Sequence, residues 1–186
     1  MRSWGPVLSA VLLAAAAPTF ASAFTLSTQG FGNGSTIPMI HVFNESGCAG
    51  GNHSPALSWS GEPAGTKSFA ITMYDPDAPT GSGWWHWTVF NIPPTVHSLN
   101  AAAGDAGSAA LPAGAVQGRT DFGFSHYGGP CPPVGDPAHH YEITVFALKV
   151  AKLPLNTQSS GALVGFTLHS NTLDKAQTVG TYGREK

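Results

Sequence analysis

Four stretches of the chain gather large apolar side chains over strand lengths: Ala56–Trp59, Ser68–Tyr74, Trp85–Ile92 and Tyr141–Leu148. Each is short, rich in aromatic or β-branched residues, and closed off by Gly, Pro, Asn or Asp, the pattern of strands between tight turns. In the last stretch Tyr141, Ile143 and Val145 share one face, while Glu142, Thr144 and Phe146 take the other, because side chains alternate along a strand. Phe146 and Leu148 make that second face apolar too, which predicts a central strand. Ser160–Ser170 and Thr172–Val179 have spacings closer to helical. Leu163, Phe166 and Leu168 are expected to face the sheet, with Asn171 capping the second piece. Asn100–Gly118 is built of small residues with too little apolar bulk for a core, and reads as a long connection over the surface.

Composition sharpens the fold class. With 23 Gly and 15 Pro among 186 residues, much of the chain is spent turning. That favours a mainly β, antiparallel β-sandwich with one or two short C-terminal helices over a helical or doubly wound fold. No internal repeat or second domain is visible.

The first residues read as an address. Arg2 precedes an apolar run from Val7 to Ala17, and Ala21-Ser22-Ala23 supplies a small-x-small cleavage pattern. The run is shorter than the roughly 20 residues that span a bilayer. The expectation is a signal peptide over residues 1–23 and one domain over 24–186, exported to a periplasm or secreted. Three N-x-[ST] sequons, at Asn33, Asn44 and Asn52, matter only in a eukaryotic secretory pathway, and Pro55 weakens the third.

Charge acts by exclusion. The 8 basic and 10 acidic residues form no basic cluster, so no concentrated positive field exists for nucleic acid or an anionic membrane surface. An anion has to be caught locally, in a pocket. The two cysteines, Cys48 and Cys131, lie in Gly/Pro-rich loops, and an even count in an exported chain points to one disulfide.

Side chains of catalytic type concentrate in two places. Tyr74 to Trp87 ends a strand, turns through Asp75-Pro76-Asp77-Ala78-Pro79, and reaches a histidine, His86, between tryptophans. The prolines stiffen that turn and present both carboxylates with little freedom. Tyr127 to Tyr141 is a Gly/Pro-rich loop leading into a strand headed by His139-His140-Tyr141. Alternation sends His139 and Tyr141 to one side and His140 to the other. Brought together, Asp75, His86, His139, Tyr141 and glycine amides would line one cavity, able to grip phosphate oxygens without a full positive charge.

These same residues carry a family resemblance. DPDAP followed by GSGWWHW, and later YGGPCPP with a His and a Tyr heading the next strand, resemble the two signature regions of the phosphatidylethanolamine-binding proteins, especially the bacterial Raf-kinase-inhibitor-like branch. Cys48 to Trp59, Arg119 to Gly123 and Gly161 to Phe166 extend the likeness, which covers nearly all of Phe24 to Arg184. It implies a β-sandwich with a small anion pocket at one end. Asp75 and Asp77 match the two acids of the first signature, His86 its histidine, and Tyr127, Gly129 and Pro130 the rim of the pocket loop. His139 and Tyr141 match the His and Tyr of the family's HRY triplet, but His140 stands where Arg is common. The implied activity is binding of a small anionic or phosphorylated ligand, without a cofactor and without catalysis, in a kinase-inhibitor-like regulatory role.

Two rivals remain open. A metal-dependent hydrolase could use His86, His139 and a carboxylate, although H-E-x-x-H is missing and no G-x-S-x-G supports a serine hydrolase. An inhibitor of a kinase or protease could instead act through surface loops.

Overall fold

The computed structural model describes Met1 and residues 23–186; the expected leader falls almost wholly on residues 2–22, outside the described residues. The strands are β1 (Thr25–Thr28), β2 (Leu57–Ser60), β3 (Ser68–Asp75), β4 (Trp84–Ile92), β5 (Ser98–Leu99), β6 (Val116–Gln117), β7 (His139–Leu148) and β8 (Thr172–Tyr182). Among the described residues one α-helix, α1 (Gly161–Asn171), precedes β8, and a single 3-10 turn spans Met39–His41. They form two antiparallel sheets, ordered β1-β2-β5 and β6-β4-β3-β7-β8.

The small sheet covers one face of the large one. Leu57, Trp59 and Leu99 meet Phe69, Ile71, Met73, Val89, Ile143 and Val145 in the main core. On the opposite face Ala70, Phe90 and Leu148 pack against Leu153 and against Val164 and Leu168 of α1. A sheet covered on both sides needs strands apolar on both sides, and β3 accordingly buries almost every residue it has. Burying Phe69, Ile71 and Met73 stabilises the fold by about 1.5–3 kcal/mol each. β7 lies between β3 and β8 as a central strand.

Three expectations change. Thr172–Val179 is not helical but belongs to edge strand β8, paired with β7 from Leu148↔Thr172 to His139↔Tyr182. Its inward positions are Ala176, Thr178 and Gly180, too small to signal a strand by hydrophobic alternation. Asn171 therefore ends α1, its amide donating to Thr167 O at 2.9 Å. In α1 the buried side is Gly161, Val164 and Leu168, while Leu163 and Phe166 face outward, 48% and 73% exposed. Glycine sets this choice, because a Cβ at Gly161 would collide with the Trp85 ring that packs there. The 100–118 connection does run outside the sheets, but it sinks Ala103 into the core and adds β6 to the edge of β4.

Candidate ligand-binding site

Antiparallel pairing brings the C-terminal end of β3 beside the N-terminal ends of β4 and β7. Asp75, His86, His139 and Tyr141 occupy those ends, and all four line one cavity of about 270 Å³. Trp84 and Phe122 form an aromatic wall, Pro79, Pro132 and Pro133 an aliphatic one, and Ser46, Ala78, Thr80 and Cys131 complete the lining.

His86 reaches this cavity through an irregularity. Trp85 faces the helix and Trp87, two residues on, faces the main core, so alternation is broken between them; counted back from Trp87 it would turn His86 to the helix side with Thr88. Between the pairs Tyr74↔Trp85 and Met73↔Trp87 the register slips by one, leaving His86 as the extra residue of a β-bulge. A bulge re-aims side chains. Here it puts the His86 ring edge-on to Tyr141, with centroids 5.1 Å apart.

Each polar group is held from behind. Asp75, 3% exposed, accepts the Asp77 and Ala78 N–H groups on Oδ1 at 2.8 and 3.1 Å. Its Oδ2 accepts from His139 Nδ1 at 2.8 Å. One carboxylate thus fixes both the turn and the imidazole. His86 Nδ1 donates to Gly128 O at 2.8 Å, and Gly128 N returns a bond to His86 O at 3.0 Å. Burial pushes the His86 pKa below its ordinary value, opposed by the Gly128 and Gly129 carbonyls, Asp75 and Asp121. Burial also raises the Tyr141 phenol, aided by Asp75, so it stays protonated. Its hydroxyl is buried with no hydrogen-bond partner among the described residues, as are Trp59 Nε1, Thr88 Oγ1 and Asn91 Nδ2; of these four residues Tyr141 alone lines the cavity.

Of the remaining candidates Cys131 alone is in the lining; Tyr127, Gly129, Pro130, Asp77 and Cys48 lie around it. Tyr127 is buried, its hydroxyl donating to His41 O at 2.8 Å and its ring edge-on to Trp87. Gly129 presses against the backbone of His41 to Phe43, where any Cβ would collide, and Pro130 O accepts from Phe43 N at 3.0 Å. Asp77 turns outward and pairs with His140 at 2.7 Å. Cys48 and Cys131 are bonded, closing a separation of 83 residues. In the chain-entropy account a loop of that length stabilises by about 4–5 kcal/mol. Arg184 reinforces the same rim, Nε donating to Pro132 O at 2.7 Å and a terminal nitrogen to Gly47 O at 2.8 Å. Trp84, Phe122, Pro132 and Pro133 went unassigned in the sequence, although each stands inside or beside a quoted motif; only the fold shows that they share a wall.

Among the described residues no group of three or more His, Cys, Asp or Glu is placed to hold a metal ion. No helix of the described residues is long and apolar enough to cross a membrane.

Comparison with known proteins extends from strands to cavity. The chain is 52% identical over 176 residues to the UPF0098 protein YbcL of Escherichia coli, covering 95% of this chain and 96% of that one. It is 47% identical over 150 residues to YbhB of the same organism, covering 81% and 94%. The crystal structure of YbcL, described as a new member of the mammalian PEBP family, superposes with a TM-score of 0.85 at 53% identity, covering 87% of this chain and 99% of that one. The sequence profile named phosphatidylethanolamine-binding protein matches residues 27–183, which include both halves of the cavity. The chain belongs to the phosphatidylethanolamine-binding protein family.

Proposed function

We propose that this is an exported binding protein that holds the acidic group of a small anionic or phosphorylated ligand between Tyr141, His86 and His139, without transforming it. The observation that carries the reading is the buried Tyr141 hydroxyl without a partner. Leaving such a group unsatisfied costs about 1–3 kcal/mol, and a ligand oxygen on the cavity floor would relieve that cost. Asp75, Asp77, Tyr127, Gly129 and Pro130 serve as scaffold, holding the imidazoles and the rim. Export is supported by the leader pattern of residues 1–23 and by the Cys48–Cys131 bond, which belongs to an oxidising compartment. A regulatory role on a kinase or protease would run through this cavity or its rim loops. His139→Ala separates the two routes, since it should abolish ligand binding yet spare inhibition through the loops.

The test is Tyr141→Phe. It removes the orphan hydroxyl without opening a cavity, so urea unfolding should show stability unchanged or raised by up to about 1–3 kcal/mol. Phosphate affinity, by calorimetry, should fall about tenfold or more, the worth of a hydrogen bond to a charged group. Unchanged affinity would reject the assignment. Affinity of the parent protein for a phosphate monoester should also rise as pH falls toward the ester's second ionisation at ~6 and level off below it, because above that pH the complex holds a proton that the free dianion and neutral His86 together lack.

A further inference from the structure

The bond between Cys48 and Cys131 has one end in the cavity and the other behind it. Cys131 lines the hollow beside Ser46, Phe122, Pro132 and Pro133. Cys48 is no part of that lining; it is buried and packs with Val42 and Phe43. A reagent entering the cavity therefore meets the sulfur of Cys131 and not that of Cys48. Charge favours the same choice. Cys131 Sγ lies 3.8 Å from the carbonyl oxygens of both Glu45 and Ser46, so a thiolate on Cys131 would form against two negative dipole ends. As the attacked atom it stays bonded and neutral, and the charge leaves on Cys48. Arg184 donates to Gly47 O and Pro132 O on either side of the bridge, which sets a cation near the departing sulfur, and a nearby cation steadies a thiolate. Exchange depends on which sulfur is reached and which one leaves well. Both conditions single out Cys131 as the point of attack.

We propose that Cys131 is a site of S-thiolation by a small aliphatic thiol, which attacks its Sγ from the cavity and displaces Cys48. The new S–S bond forms at Cys131 as the old one breaks; the bonding pair leaves with Cys48 Sγ, and water supplies the proton that sulfur takes up. One disulfide replaces another, so no outside oxidant or reductant is consumed. A cavity of about 270 Å³ admits the thiol end of cysteine or glutathione and excludes a thiol carried on a folded protein. The rim keeps its shape when the covalent link opens, because Arg184 still ties Gly47 O to Pro132 O at 2.8 and 2.7 Å, and Phe43 N still donates to Pro130 O at 3.0 Å. The adduct then fills the hollow and stops it covalently. None of this requires that an anion bind.

The experiment treats the folded mature protein with glutathione at pH ~8, where part of the reagent is thiolate, then stops exchange in acid and locates the adduct by peptide mass after pepsin cleavage. In the early mixed disulfide, glutathione should sit on Cys131 at least tenfold more often than on Cys48. The same chain unfolded in urea should carry it on the two cysteines in nearly equal amounts, since the surroundings that discriminate are gone. A folded protein with a single surface cysteine, at the same thiolate concentration, should react at least tenfold more slowly than glutathione. An even or reversed partition in the folded protein overturns the proposal, as does the absence of any adduct under conditions that modify the unfolded chain. Equal rates with the protein thiol overturn the limit on reagent size.

Discussion

Two His–Asp pairs stand side by side on the same two pieces of chain, and they live in different worlds. His139 pairs with Asp75 at 2.8 Å, with side chains 5% and 4% exposed. His140 pairs with Asp77 at 2.7 Å, with side chains 58% and 42% exposed. The chemistry and distance are nearly identical. Alternation along β7 sends one imidazole into the cavity and the other into water. The buried pair is locked by two further turn amides on Asp75, whereas water competes for every partner of the exposed one. Geometry alone would rank the two as equals; burial separates them.

The largest break in this comparison should come from Asp75→Ala. It strands a buried imidazole and frees two turn N–H groups, so urea unfolding should show a loss of about 3–5 kcal/mol, with loss of phosphate binding. Asp75→Asn keeps an acceptor for His139, and should recover part of that stability with binding still weakened. A smaller effect should appear between two pH values. His86 has its pKa depressed in the folded state, so the unfolded chain takes up the proton first and stability falls as pH drops below ~6.5 toward the folded value. Urea midpoints at pH 7.5 and 5.5 should show this decline, and His86→Phe should flatten it. Asp77→Ala should be the mildest, at about 1 kcal/mol or less. His140 holds the Asp77 carboxyl below its ordinary range, so its small contribution is present above the unfolded carboxylate pKa and is lost as pH falls through the folded one. An Asp77→Ala loss as large as that of Asp75→Ala would erase the distinction.

Legibility in the sequence follows the same physics. β3, β4 and β7 were readable to within two residues because their apolar content is high and their ends are punctuated. β8 was unreadable: Ala176, Thr178 and Gly180 face inward, small enough to let Phe31 and Ile37 pack over Gly180, and pairing with β7 overrides a locally helical composition. The face of α1 was misjudged because the helix holds no acidic residue and only His169 as a basic one, so no polar stripe marks the outside. Within the site, Asp75, His139 and Tyr141 were accessible from motif and alternation. His86 was accessible from the motif but not from alternation, since a one-residue bulge exists only in the pairing of two distant strands. Tyr127 looked like a rim residue beside the glycines, but its hydroxyl finds the His41 carbonyl and the ring stays in the core.

The guanidinium of Arg184 ties the last described turn of chain to both lips of the cavity mouth, at Gly47 and Pro132. A purification handle fused after Lys186 would therefore emerge within a few residues of the opening, close enough to shade it or to drop its own acidic groups inside. Ligand screens on this protein belong on material whose handle has been removed, and a truncation at Gly183 would be expected to loosen the doorway while leaving the sheets intact.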